Sequence, residues 1–99
     1  MIVIIGTLNV QPSDRDALLE AAKAVMEGTL KEEGCLHYCF TADLVDPSVV
    51  HLVERWESEA PLEPHLRTEH IQTFGRALRP LKVTRGDFTI YEVASEKPG

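Results

Sequence analysis

The residues best suited to chemistry lie in one stretch, Glu54 to His70, which holds the only tryptophan, Trp56, and two of the four histidines, His65 and His70. An imidazole can accept the proton of an aromatic hydroxyl near neutral pH, which makes His65 the first candidate for a catalytic base. The competing reading is a helix-packing histidine whose ring bonds a backbone carbonyl. Trp56 can wall a pocket for a flat ring or serve as plain core. Tyr38, upstream, can donate a hydrogen bond to a substrate oxygen or simply pack. Glu54 shares a strand face with Trp56, and a carboxylate there needs an arginine partner or solvent at a rim. His70 follows Thr68 in the first turn of a helix, where a structural role competes with substrate binding. Asn9 and Thr7 end the first strand, where polar pocket residues would be useful.

Arg67 opens a basic run. Residues 67–85 hold Arg67, Arg76, Arg79, Lys82 and Arg85 against Glu69 alone. This is either a solvated helix face or a holder for an anionic or phosphorylated substrate. His65 and His70 are five apart, off the i, i+4 spacing that puts two ligands on one helical face, so the sequence forms no convincing metal set. No Gly-rich phosphate loop is present, and nothing supports a nucleotide or flavin site. Cys35 and Cys39, four apart on a strand, are separated by ~13 Å, too far for a disulfide. They read as two small, partly buried thiols. His37 and His51 are expected as neighbours across a hairpin.

These side chains must be positioned by a short list of elements. Residues 2–10 read as a strand covered on both faces. Ser13 is the expected N-cap of a helix whose apolar stripe is Leu18, Ala22, Val25 and Thr29, with Gly34 at its C-terminal end. Residues 35–45 form a strand with Leu36, Tyr38 and Phe40 on one face and Cys35, His37 and Cys39 on the other. After a turn at Asp46-Pro47-Ser48, residues 49–57 form the next strand, placing Val50, Leu52, Glu54 and Trp56 together. Ser58 is the expected cap of a short helix that starts late or bends at Pro64. Thr68 caps a further helix carrying Ile71, Phe74 and Leu78, which Pro80 ends. Residues 82–93 form the last strand. The order β-α-β-β-α-β is the ferredoxin-like pattern, an α+β fold with an antiparallel sheet and helices on one face. The strands are apolar on their other side too, and a second copy of the sheet is the economical cover, giving a homodimer closed into an α/β barrel.

The chain has 99 residues, 43% of them hydrophobic, and a formal net charge of −6. One domain over residues 1–95 and a disordered tail at 96–99 follow. The acidic balance argues against nucleic acid as a partner, because phosphate binding relies on Lys and Arg. No apolar run approaches the ~20 residues that span a bilayer, so no membrane association is expected. The apolar start lacks a basic leader and reads as a strand, which makes the cytoplasm the expected compartment.

Two signals carry a family resemblance. One is Lys31-Glu-Glu-Gly34-Cys35-Leu-His-Tyr38. The other is the pattern Trp56, Ser58, His65, Thr68, His70. Together they resemble the antibiotic-biosynthesis monooxygenase family of small dimeric α+β barrels, and within it the quinol monooxygenase branch. The resemblance implies a cofactor-independent monooxygenase acting on a small hydroquinone or polyphenol. In that scheme His65 is the base, Trp56 shapes the cavity and Tyr38 polarises a ring oxygen. Pro64 departs from the family's usual non-proline neighbour of the histidine. Another branch implies isomerisation of a small phosphorylated dione, and a non-catalytic dimeric ligand-binding protein is the reading from a different class. The haem-degrading branch resembles an Asn-Trp-His set whose last two places are here His65 and Gly75, so that chemistry is not implied.

Overall fold

The structure is a computed structural model and describes residues 1–99. Strand β1 (Ile2–Val10) leads through a 3-10 turn, Pro12–Asp14, into α1 (Arg15–Leu30). Strands β2 (Cys35–Ala42) and β3 (Val49–Trp56) form a hairpin. Two short helices, α2 (Leu62–Leu66) and α3 (Glu69–Leu78), precede β4 (Val83–Glu92). The sheet is antiparallel throughout, in the order β2-β3-β1-β4. This is the expected α+β ferredoxin-like arrangement.

The helices are placed by their apolar stripes. Leu18, Ala22, Val25 and Thr29 are the four buried residues of α1, spaced so that one face meets the sheet. Ile71, Phe74 and Leu78 of α3 pack against the same core, which the strands supply from Ile2, Ile4, Val10, Tyr38, Phe40, Val50, Leu52 and Trp56. The registers line these up across the sheet: Ile2 opposes Trp56, and Ile4 opposes Glu54, which opposes Tyr38. Strand β4 lies beyond the helical layer, and its Ile90, opposite Ile4, is 63% exposed.

Several local expectations are corrected. Ser13 lies within the 3-10 turn, and the N-cap of α1 is Asp14, whose side chain makes no cap bond. Its carboxylate accepts instead from the Lys82 amide at 3.1 Å, which ties the start of α1 to the approach of β4. Helix α1 ends at Leu30 with Lys31 as C-cap, and Gly34 lies later, in the turn into β2. Gly34 has φ 85°, a left-handed conformation natural to glycine, and a side-chain carbon there would meet the Pro61 ring at 2.5 Å.

A bulge breaks the β2–β3 register between Cys35 and His37. Cys35 therefore opposes Trp56 and faces the helices, while Leu36 is exposed. The two cysteines consequently sit on opposite faces of the sheet, and both are free. His37 and His51 are not neighbours. His37 opposes Arg55, whereas His51 opposes Thr41 and its Nε2 lies 2.7 Å from Asp43. After β4 the chain has no regular structure, though the Glu96 carboxylate lies 3.6 Å from Arg55. No helix is long and apolar enough to cross a membrane.

Candidate functional site

Helix α2 is five residues long and is held largely by its neighbours. Ser58 does not cap it; Pro61 occupies that place, and the His65 amide donates to the Pro61 carbonyl at 3.1 Å. Pro64 fits because it is in the first turn, where a missing N–H is one the helix would leave unpaired anyway. Only Arg67 and Thr68 separate α2 from α3. Thr68 works in both directions: its Oγ1 donates to the His65 carbonyl at 2.8 Å and accepts from the Ile71 amide at 3.4 Å as the N-cap of α3. This joint turns His65, on α2, and His70, the second residue of α3, toward one point.

That point is Glu32, in the turn after α1. Its amide donates to the Thr29 carbonyl at 2.9 Å, and its carbonyl accepts from the Cys35 amide at 3.3 Å. Its Oε2 lies 2.8 Å from His65 Nδ1 and 2.6 Å from His70 Nε2. One carboxylate oxygen thus serves two imidazoles. With an ionised carboxylate as the common acceptor, both ring nitrogens facing it carry protons. His65 then presents Nε2 as its lone-pair nitrogen. Gly28 of α1 makes room for the second ring, since a side-chain carbon there would fall 2.7 Å from the His70 ring.

His65 is 3% exposed and surrounded by aromatic rings. Its centroid is 5.0 Å from that of Trp56 and 5.3 Å from that of Tyr38. Trp56 is fully buried, and its indole Nε1 donates to Glu54 Oε1 at 3.0 Å. That bond corrects the expectation for Glu54, which meets neither an arginine nor solvent. Burial raises the Glu54 carboxyl above its ordinary value, opposed by the indole bond and by His65 and reinforced by Glu32. Burial also pushes the Tyr38 phenol well above its ordinary range, with Glu54, Glu32 and Cys35 adding to the effect. Tyr38 therefore stays a hydrogen-bond donor at neutral pH. The Cys35 thiol is raised too, chiefly by burial.

Two openings flank this cluster. A groove of about 420 Å³ between α1 and α3 is lined by Ala21, Val25, His70, Thr73 and Phe74, among others. A cleft of about 560 Å³ on the other side is lined by Glu32, Glu33, Glu57 and Pro64, among others. Behind the groove the rings are in contact: the Phe74 and Phe40 centroids are 5.3 Å apart, and those of Phe40 and Tyr38 5.7 Å.

Of the residues selected from sequence, His65, Trp56, Tyr38, Glu54 and His70 converge. Thr7 and Asn9 do not. Both flank Gly86 at the irregular β1–β4 pairing, and Thr7 Oγ1 accepts from the Asp87 amide at 3.1 Å. Arg67 points away; its side chain is 70% exposed and lies 3.5 Å from Glu63. Glu32 was not selected, although it lies inside the Lys31–Tyr38 signal. It is 33 residues from His65 and 38 from His70. An acid just after α1, read together with two histidines after β3, is the pattern that would have found it.

The model of the family described as antibiotic biosynthesis monooxygenase matches residues 1–77. The chain belongs to this family. Among curated relatives it is 30% identical over 89 residues to the "Probable quinol monooxygenase YgiN" of Escherichia coli K12, spanning 80% of this chain and 86% of that one. It is 29% identical over 94 residues to the "Putative monooxygenase YcnE" of Bacillus subtilis, spanning 90% and 99%. Among solved structures, a "putative antibiotic biosynthesis monooxygenase" from Deinococcus radiodurans superposes with a TM-score of 0.87 at 26% identity, covering 99% of this chain and 97% of that one. The monooxygenase type of activity is thus a family-level property.

Proposed function

We propose that this protein is a cofactor-independent monooxygenase that oxidises a small hydroquinone or polyphenol with O₂. The observation that carries the reading is His65, a buried imidazole held against Trp56 and Tyr38 with its Nδ1 fixed by Glu32. The name of the Escherichia coli relative supports the quinol. The substrate ring would enter from the α1–α3 groove, which His70 and Phe74 line. His65 Nε2 takes a hydroxyl proton, Glu32 stabilises the imidazolium that results, and Tyr38 donates to the substrate's oxygen. The electron-rich anion then reduces O₂ directly: one oxygen atom is added to a ring carbon and the other leaves as water, so the four-electron oxidation of the hydroquinone to a hydroxyquinone balances the four-electron reduction of O₂. The dry surroundings favour this step because the anion is stabilised by fixed donors rather than by water.

The phosphorylated-dione isomerase has less support. The cleft beside Glu32 also carries Glu33 and Glu57, a poor setting for a phosphate. Three of the five cations of the basic run are engaged elsewhere: Arg67 pairs with Glu63, Arg76 donates to Thr73 at 3.0 Å, and the Arg85 guanidinium lies 4.2 Å from the Phe88 ring centroid. We also propose that a second copy covers the outer sheet face, where Ile5 is 47% and Tyr91 49% exposed.

The test is oxygen uptake with a panel of hydroquinones. Wild type should consume O₂, and His65→Ala should lose roughly a hundredfold or more, the usual scale for a positioned base. Full rate in His65→Ala would make the residue structural. Turnover of a phosphorylated dione with no quinol oxidation would favour the isomerase, and saturable binding without turnover in either assay would favour a binding module.

A further inference from the structure

The atoms that orient His65 are also a set of metal donors. Glu32 Oε2, a nitrogen of His65 and a nitrogen of His70 lie within 4.8 Å of one another. The carboxylate oxygen is 2.8 Å and 2.6 Å from the two ring nitrogens that face it. Ligands 2.0–2.1 Å from a tetrahedral ion sit roughly 3.3 Å apart, so the His65 and His70 contacts need to open by about 0.5 and about 0.7 Å. Two imidazoles and one carboxylate suit borderline divalent ions such as zinc and cobalt, and three protein ligands leave a fourth position for water. The i, i+4 spacing is a requirement on two ligands from one helix. Here the histidines come from two helices joined at Thr68, and the carboxylate comes from a third element.

The site is also reachable. The His70 side chain is 24% exposed and lines the α1–α3 groove, while Glu32 lines the cleft that Glu33 and Glu57 make attractive to cations. We propose that Glu32, His65 and His70 bind a divalent transition-metal ion of the zinc type, and that the bound ion switches off His65 as a base.

The second half follows from the tautomer and rests on the proposed quinol oxidation; the first half does not. Without an ion, Nδ1 of His65 carries the ring proton toward Glu32 and Nε2 holds the lone pair. An ion at Nδ1 needs that lone pair, so the single ring proton of the neutral imidazole moves to Nε2. The ring gains and loses no proton overall, yet the nitrogen beside the aromatic rings can no longer accept one. Metal binding and proton abstraction are therefore alternative states of one imidazole.

The experiment titrates chelator-treated protein with Co(II), then Zn(II), and follows visible absorption, thermal stability and oxygen uptake with a hydroquinone. One equivalent of Co(II) should give the ligand-field bands of a four- or five-coordinate site, and Zn(II) should displace it. Melting temperature should rise, and oxygen uptake should fall in step with occupancy. His70→Ala should abolish the cobalt bands and weaken Zn(II) binding at least about tenfold. Glu32→Gln, which keeps the side-chain volume, should do the same. His51→Ala, which removes the half-buried His51–Asp43 pair, should leave binding intact. No saturable one-equivalent binding, or bands that survive His70→Ala, would overturn the site. A sulfur charge-transfer band lost in Cys35→Ser would also overturn it by placing the ion on a thiol. Unchanged or faster uptake in the metal-loaded protein would overturn the switch while leaving the site standing. If metal-free protein oxidises no quinol, the proposed function fails, and the cobalt spectrum still decides the site.

Discussion

Replacing Glu32 with Gln tests the arrangement at its centre. The substitution keeps the shape and removes the charge from an oxygen that serves His65 at 2.8 Å and His70 at 2.6 Å. Hydrogen bonds to charged groups contribute about 1.5–3 kcal/mol and neutral ones about 0.5–1.5, a difference of roughly 1 kcal/mol per bond. Two bonds are affected, but the Glu32 side chain is 16% exposed, so solvent moderates the loss. A destabilisation of about 1–2 kcal/mol follows, and in a domain of this size 1 kcal/mol lowers the melting temperature by about 4–8 °C. The rate should suffer more. A glutamine amide can donate to His65 Nδ1, which sends the ring proton to Nε2 and removes the base. Exchanging carboxylate for amide behind a catalytic imidazole can cost about 10⁴ in kcat. We expect a loss of at least about a hundredfold in kcat with little change in KM. Calorimetry and an oxygen electrode measure the two effects. Unchanged melting and an unchanged rate would show that Glu32 does not organise the histidines. A lower melting temperature with full rate would confine the cluster to structure.

Three further outcomes are expected. Thr29 is fully buried and its Oγ1 has no hydrogen-bond partner, so Thr29→Val should raise the melting temperature by several degrees, about 1 kcal/mol; a decrease would mean the hydroxyl is satisfied. Asp43 accepts from His51 and from the amides of Asp46 and Val45, which together lower its carboxyl from 3.8 to about 2. Because the folded value is the lower one, its contribution to stability is complete above the ordinary range and is lost as pH falls toward 2. An NMR titration should show a midpoint near 2 that moves upward in His51→Ala, and an unmoved midpoint would reject His51 as the main cause. Light scattering on wild type should give twice the chain mass of 11.1 kDa, and Ile5→Arg on the outer sheet face should give monomers; a wild-type monomer at micromolar concentration would reject the barrel.

Much of the architecture was legible because its causes are local. The stripe Leu18, Ala22, Val25 and Thr29 follows from helical periodicity, and all four are buried. Thr68 caps α3 because a threonine before an amphipathic helix has an oxygen to offer its first amides. The face shared by Val50, Leu52, Glu54 and Trp56 follows from strand alternation, and all four are buried. The partner of Glu54 was within the same reach: Trp56, two residues on, shares its face, and its indole needs an acceptor when buried. Cys35 failed for a different reason. A bulge inserts one residue into the alternation without a distinctive residue type, and it inverted the faces of Cys35 and Leu36.

The sequence alone determined the order of the elements, the core stripes and the neighbourhood of Trp56, His65 and His70, because periodicity and caps act over a few residues. It did not determine the site. Glu32 meets His65 and His70 only when the turn after α1 is brought against the α2–α3 joint, across separations of 33 and 38 residues. Its importance lies in one oxygen accepting from two rings, an arrangement fixed by the packing of α1 on the sheet and of α3 on α1. Side-chain direction at that distance is a property of the whole packed chain, so only the tertiary structure could decide which carboxylate orients the imidazole.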